Sequence, residues 1–158
     1  MMITLIDNAL LDEVCAEAAA NPRRRKNRNF HPADDHPAHR LLNAMQPDSY
    51  IPPHRHLDPN KDETFVVLRG LLGVVVFDDA GQIVQTAKVG AGGTAIGVDI
   101  PQGAWHTAVA LEADTVFLEA KAGPYLPFIE AERAPWAPAE NSPEAAPYLA
   151  VLKACVAG

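Results

Sequence analysis

Between Arg40 and Lys121 the chain is written in short apolar and β-branched runs, each broken by Gly, Pro or Asp. Val74-Val75-Val76-Phe77 followed by Asp79-Ala80-Gly81 and Ile83-Val84 is the clearest case, two runs joined by a hairpin turn. Runs of this length, rich in residues that suit pleated backbone, predict strands and leave little room for helix. We place strands at 40–46, 49–54, 63–69, 72–78, 82–88, 94–98, 105–110 and 114–121. That spacing predicts an all-β sandwich or barrel.

The flanks read differently. Asp7-Asn8 offers N-cap chemistry for a short amphipathic helix carrying Leu10, Leu11, Val14 and Ala18, which Asn21-Pro22 ends. Residues 23–39 hold Arg23, Arg24, Arg25, Lys26 and Arg28, then His31, His36 and His39, with no sustained period, so an ordered arm or loop is expected. Pro124, Pro127, Pro135, Pro138 and Pro143 exclude regular structure over 122–143 and predict a strap across the surface. Ser142-Pro143-Glu144 opens a last helix with Tyr148, Leu149, Val151, Leu152 and Val156. The expected organisation is one domain: helix and arm over 1–39, barrel over 40–121, strap and helix over 122–158.

A net charge of -7 over 158 residues argues against nucleic acid, whose phosphates need a basic surface. No run approaches the roughly 20 apolar residues of a membrane-crossing helix, and Met1-Met2-Ile3-Thr4 lacks a secretory pattern, so a soluble cytoplasmic protein without membrane association is expected. Cys15 and Cys155 lie far apart with no Cys-x-x-Cys spacing and are read as free thiols.

Pro53-His54-Arg55-His56 carries the chemistry. On extended backbone His54 and His56 project from one face while Arg55 points away. With Glu63 and with His106 of Pro101-Gln102-Gly103-Ala104-Trp105-His106 they form a candidate donor set of three imidazoles and a carboxylate. That set suits one divalent transition metal, Zn, Fe, Mn, Ni or Co, better than Ca, Mg or Cu(I). Asp58 and Asp62 are alternatives to Glu63 as the carboxylate. Tyr50 is the candidate acid or base. Arg28 is the candidate for gripping a phosphate or carboxylate, Asn29 and His31 for reaching a ligand from the arm, and Phe65, on the face of Glu63, for lining the cavity.

These residues resemble the cupin superfamily, small jelly-roll barrels with a metal in the barrel cavity. His54, His56, Glu63 and Gly70 match its first motif, with Asp48 in place of the leading Gly and six residues between His56 and Glu63. Pro101, Gly103 and His106 match the second, with Ala95 and Ala110 replacing its Gly and Asn. More narrowly, Asn29-Phe30-His31, Arg40-Leu41-Leu42-Asn43-Ala44-Met45, Pro53-His54-Arg55-His56 and the segment Lys61 to Gly70 look like WbuC-type cupin metalloproteins of surface-polysaccharide gene clusters. The resemblance implies a cupin-type double-stranded β-helix with short terminal helices, a small sugar-like substrate and a homodimer. It leaves three activities open: isomerase or epimerase, Fe(II)-dependent dioxygenase, or a non-catalytic sugar-binding module.

Overall fold

In the computed structural model, which describes residues 2–158, Asp7 caps helix α1 (Asn8–Ala20) by accepting a hydrogen bond from the Leu10 amide at 3.0 Å. Eight strands follow: β1 (Arg25–Asn29), β2 (Ala38–Met45), β3 (Glu63–Arg69), β4 (Leu71–Phe77), β5 (Ile83–Gly90), β6 (Gly97–Ile100), β7 (Trp105–Ala110) and β8 (Thr115–Ala122). A short 3-10 turn (Glu130–Glu132) and helix α2 (Ala145–Ala157) complete the chain. The strands pair antiparallel in two sheets, ordered β1-β2-β8-β3-β6 and β5-β4-β7. This is the expected jelly-roll sandwich with two short helices. Among the described residues no helix is long and apolar enough to cross a membrane.

Strand alternation distributes the apolar residues over three cores. Met45, Phe65, Val67, Leu72, Val74 and Phe117 meet between the sheets. Leu42, Ala44 and Val116, on the opposite face of the larger sheet, take Leu11, Val14, Cys15 and Ala18 of α1. Val75, Phe77 and Val109 lie under Leu149, Leu152 and Val156 of α2. Fully burying one such Val or Leu side chain stabilises the fold by about 1.5–3 kcal/mol, so neither helix is a detachable ornament. Gly73 permits the α2 contact, because a Cβ there would meet side-chain carbons of Val109 and Val156 at 2.9 Å.

Three expectations need correction. The arm at 23–39 contains a strand, β1, paired with β2 from Arg25↔Met45 to Asn29↔Leu41. Its residues, Arg-Lys-Asn-Arg-Asn, have no apolar alternation because it is a polar edge strand, a class that hydrophobic periodicity cannot see. The strand expected at 49–54 is absent; that stretch makes only isolated bridges at His54. Pro52 and Pro53 remove two ladder donors there. The strand expected at 94–98 begins later, at Gly97.

Candidate metal centre

One pair of backbone hydrogen bonds sets the geometry of the site. The His54 amide donates to the His106 carbonyl at 3.0 Å and the His106 amide to the His54 carbonyl at 2.9 Å. Residues so opposed carry their side chains on one face, and the two rings lie 4.6 Å apart. His56 is fixed two residues on, its carbonyl accepting from the Gly103 amide at 2.7 Å. The intervening Arg55 faces the other way, its guanidinium 4.2 Å above the Trp105 ring. Alternation thus holds over 54–56 without a regular strand. Glu63 enters from the opposite sheet as the first residue of β3.

Donor atoms of His54, His56, Glu63 and His106 all lie within 4.8 Å of one another. His54 Nδ1 donates to the Pro52 carbonyl at 3.0 Å and His106 Nδ1 to the Ala104 carbonyl at 2.9 Å. Both imidazoles are therefore held in the tautomer that leaves Nε2 bare. Glu63 Oε1 meets His56 Nε2 at 3.1 Å and Lys121 Nζ at 2.8 Å. Glu63 Oε2 and His106 Nε2 approach to 2.9 Å, but without hydrogen-bond alignment, so both are buried with no hydrogen-bond partner. A buried donor or acceptor left unpaired costs about 1–3 kcal/mol. Two lone-pair atoms converging in this way, beside two imidazoles of fixed tautomer, fit a divalent cation.

The electrostatics agree. Burial and the neighbouring His106 push His54 down to about 3, so its imidazole is neutral near pH 7. Burial acts to raise Glu63, but the His56 imidazole and the Lys121 ammonium, both against Oε1, outweigh it and hold the carboxyl well below the usual range. Lys121 is pushed up, because Glu119 and Glu63 outweigh the effect of its burial. It bridges the two carboxylates, 2.8 Å from Glu63 and 2.7 Å from Glu119. Glu119 is raised by burial and by the charge of Glu63, and accepts from Asn43 at 2.6 Å.

The remaining sequence candidates separate. Asp58 caps its own turn through the Asn60 amide, and Asp62 accepts from the Gln102 amide at 2.8 Å, so neither replaces Glu63. Arg28 is ion-paired with Glu13 and Glu17 of α1, at 2.8 and 2.7 Å, instead of facing a ligand. Register explains this: Arg28 opposes Leu42, whose side chain lies under α1. Asn29 and His31 line a cavity of about 370 Å³ together with His39, Glu119, Lys121 and Tyr125. His31 stacks on His39 with ring centroids 3.9 Å apart. Phe65 is core, packed on Phe117 at 4.8 Å.

Tyr50 is not placed for proton transfer. Its hydroxyl donates to the Pro138 carbonyl at 2.9 Å, its ring packs edge-on against Tyr148, and burial pushes its pKa upward. Tyr50→Phe is expected to cost about 1 kcal/mol of stability and to leave metal content unchanged, as urea unfolding and elemental analysis would show.

Four residues of the site's surroundings escape a reading of the sequence. Glu119 and Lys121 have a signal, since alternation along Thr115–Ala122 puts both on the face of Phe117, two charges where a core face is expected. Phe128, 4.8 Å from His54 and 5.3 Å from His56, and Arg133, bridged to His54, come from the strap, where no period points to them.

A jelly roll holding His-x-His, Glu and His in one cluster defines a cupin-fold protein with a candidate divalent-metal site. The chain belongs to the DUF6016 family, a domain of unknown function, whose profile matches residues 6–89 and so includes His54, His56 and Glu63. Among solved structures it is similar to KdgF from Halomonas sp., with 18% identity over 67% of this chain and 84% of that one and a TM-score of 0.51. A conserved Streptococcus pyogenes protein of unknown function gives 14% identity over 80% of this chain and 92% of that one, at a TM-score of 0.53. The pro-11S globulin of pumpkin gives 21% over 66% of this chain and 27% of that one, at 0.51. These likenesses establish the cupin fold. No curated protein matches the chain.

Proposed function

We propose that the protein binds one divalent transition metal through His54, His56, Glu63 and His106, and acts with it on a small polar, sugar-like molecule. The observation that carries the reading is the pair of buried, unpartnered atoms His106 Nε2 and Glu63 Oε2, 2.9 Å apart beside the fixed imidazole of His54. The ion would supply Lewis acidity toward a carbonyl or vicinal hydroxyls of the bound molecule. The chain's own residues do the rest. Lys121 holds Glu63 Oε1 and so leaves Oε2 for the ion. Phe128 covers the His54 and His56 rings and limits water on that side. Glu119, raised by burial, is suited to keep or hand over a proton in the cavity it shares with Asn29 and His31.

The WbuC-like segments support a place in surface-polysaccharide metabolism, as an isomerase or epimerase. The test is proton exchange with solvent deuterium when metal-loaded protein is incubated with nucleotide-linked and phosphorylated sugars. Exchange at a carbon-bound hydrogen is expected. Its absence with every sugar defeats the isomerase reading, and substrate-dependent oxygen uptake by the Fe(II) form would put a dioxygenase in its place.

A further inference from the structure

His54 is bridged on both sides, to His106 on one and to Arg133 on the other. Residues opposed in this way share a face, so the row His106, His54, Arg133 runs outward from the cluster. A cavity of about 380 Å³ opens beside this row, lined by His54, Phe128, Arg133, Arg23, Arg25 and Glu140 among others. That volume suits a small ligand. Three guanidiniums face one carboxylate there, in a chain whose net charge is -7. Arg23 and Arg25 both spend their charge on Glu140, at 2.8 and 2.9 Å. Arg133 differs. Among the described residues no hydrogen bond or ion pair engages its guanidinium, which lies 5.8 Å from the centroid of Phe128, the ring packed on His54 and His56.

We infer that this cavity is the oxyanion subsite of the metal centre, with Arg133 gripping a carboxylate or phosphate of the ligand. The inference rests on reading the cluster as a metal site, since the ion would engage the remainder of the same molecule. A planar guanidinium free of internal partners can bind either oxyanion with two parallel hydrogen bonds. Arg23 and Arg25 share the single Glu140 carboxylate, so that trio leaves a net positive charge on the cavity wall. Asn27 and Asn29, alternate residues on the same face of β1 as Arg25, border the neighbouring cavity. A ligand with one anionic end and a hydroxylated body therefore finds charge at one end of this strand and amides at the other.

The experiment titrates metal-loaded protein with inorganic phosphate, gluconate and uncharged glucose, following binding by calorimetry and ligand NMR and measuring metal content on the same samples. Phosphate or gluconate is expected to bind, and which of them does so assigns the anion. Arg133→Gln should weaken that binding roughly tenfold or more, as expected for a lost charge-assisted hydrogen bond. Arg133→Lys should keep part of it, and Lys26→Gln, on the other face of β1, should change nothing. Glucose affinity should not respond to Arg133. Anion binding unaltered in Arg133→Gln, or no binding of either anion to wild type with its metal in place, overturns the subsite. Wild-type protein that takes up no metal overturns the metal reading instead; Arg133-dependent anion binding by that protein would uphold the grip of Arg133 on the anion and overturn only its tie to a metal.

Discussion

His106→Ala is expected to strip the protein of its metal. The imidazole is only 2% exposed, its Nδ1 is committed to the Ala104 carbonyl, and its Nε2 is buried without a hydrogen-bond partner, free for the proposed ion. Removing a residue that merely orients a ligand typically weakens binding by about 10–100-fold; removing the ligand itself should exceed that, and elemental analysis of purified protein should show the loss. His54→Ala should behave alike. Stability gives a second measurement. Metal at 100 times its Kd stabilises a folded protein by about 2.7 kcal/mol, which for a chain of this size raises Tm by roughly 5–10 °C. Wild type should show that rise on metal addition, and neither variant should. Cooperative unfolding of the metal-free variants at a Tm close to metal-free wild type would show that the fold survives. A variant that keeps both its metal and the thermal shift would mean that the donor set is wrong.

The donor set is legible because it is written in short-range spacing. His54 and His56 stand two apart on extended backbone, so alternation aims both at one point, while His106 is marked by its own Pro-x-Gly-x-x-His motif and is brought to that point by the long-range pairing of its backbone with that of His54. Choosing Glu63 over Asp58 or Asp62 takes the fold, because only the pairing of β3 with β8 and β6 turns Glu63 inward. Tyr50 shows the limit of the same logic. Counting back four from His54 puts it on the metal face only if 49–54 is a strand, and Pro52-Pro53 break the pleat that the count assumes. Arg28 fails for a related reason: the polar pattern of β1 reads as a loop, so nothing in it fixes which residues face α1 and which face the barrel mouth. The barrel strands themselves are readable because apolar and β-branched runs report burial. The strap's contributions, Phe128 and Arg133, depend on where irregular backbone lies, which no periodicity encodes.

Glu140→Gln is the second large effect, and it separates charge from packing. The carboxylate joins the strap to the start of β1, accepting from Arg23 Nε and Nη2 at 2.8 and 2.9 Å and pairing with Arg25 Nη1 at 2.9 Å. Burial acts to raise it, yet the two guanidiniums win and bring it from 4.5 down to about 2. A carboxyl depressed on folding stabilises the protein fully above its unfolded pKa, and this contribution is lost as pH falls from about 4.5 through 2. The shift corresponds to about 3 kcal/mol, reduced to roughly 1–3 by solvent screening at Arg23, whose side chain is 61% exposed. The neutral amide also strands Arg25, 13% exposed, without its counter-charge, so urea unfolding at pH 7 should show a loss of about 2–4 kcal/mol. The gap to wild type should close as pH is lowered from 4.5 to 2; a gap independent of pH would assign the effect to packing. Metal content should not change, since Glu140 touches no donor. Oxyanion affinity should rise, because losing the carboxylate's charge returns two guanidiniums to the cavity beside His54, and a fall would show that Glu140 holds Arg23 and Arg25 in their binding positions.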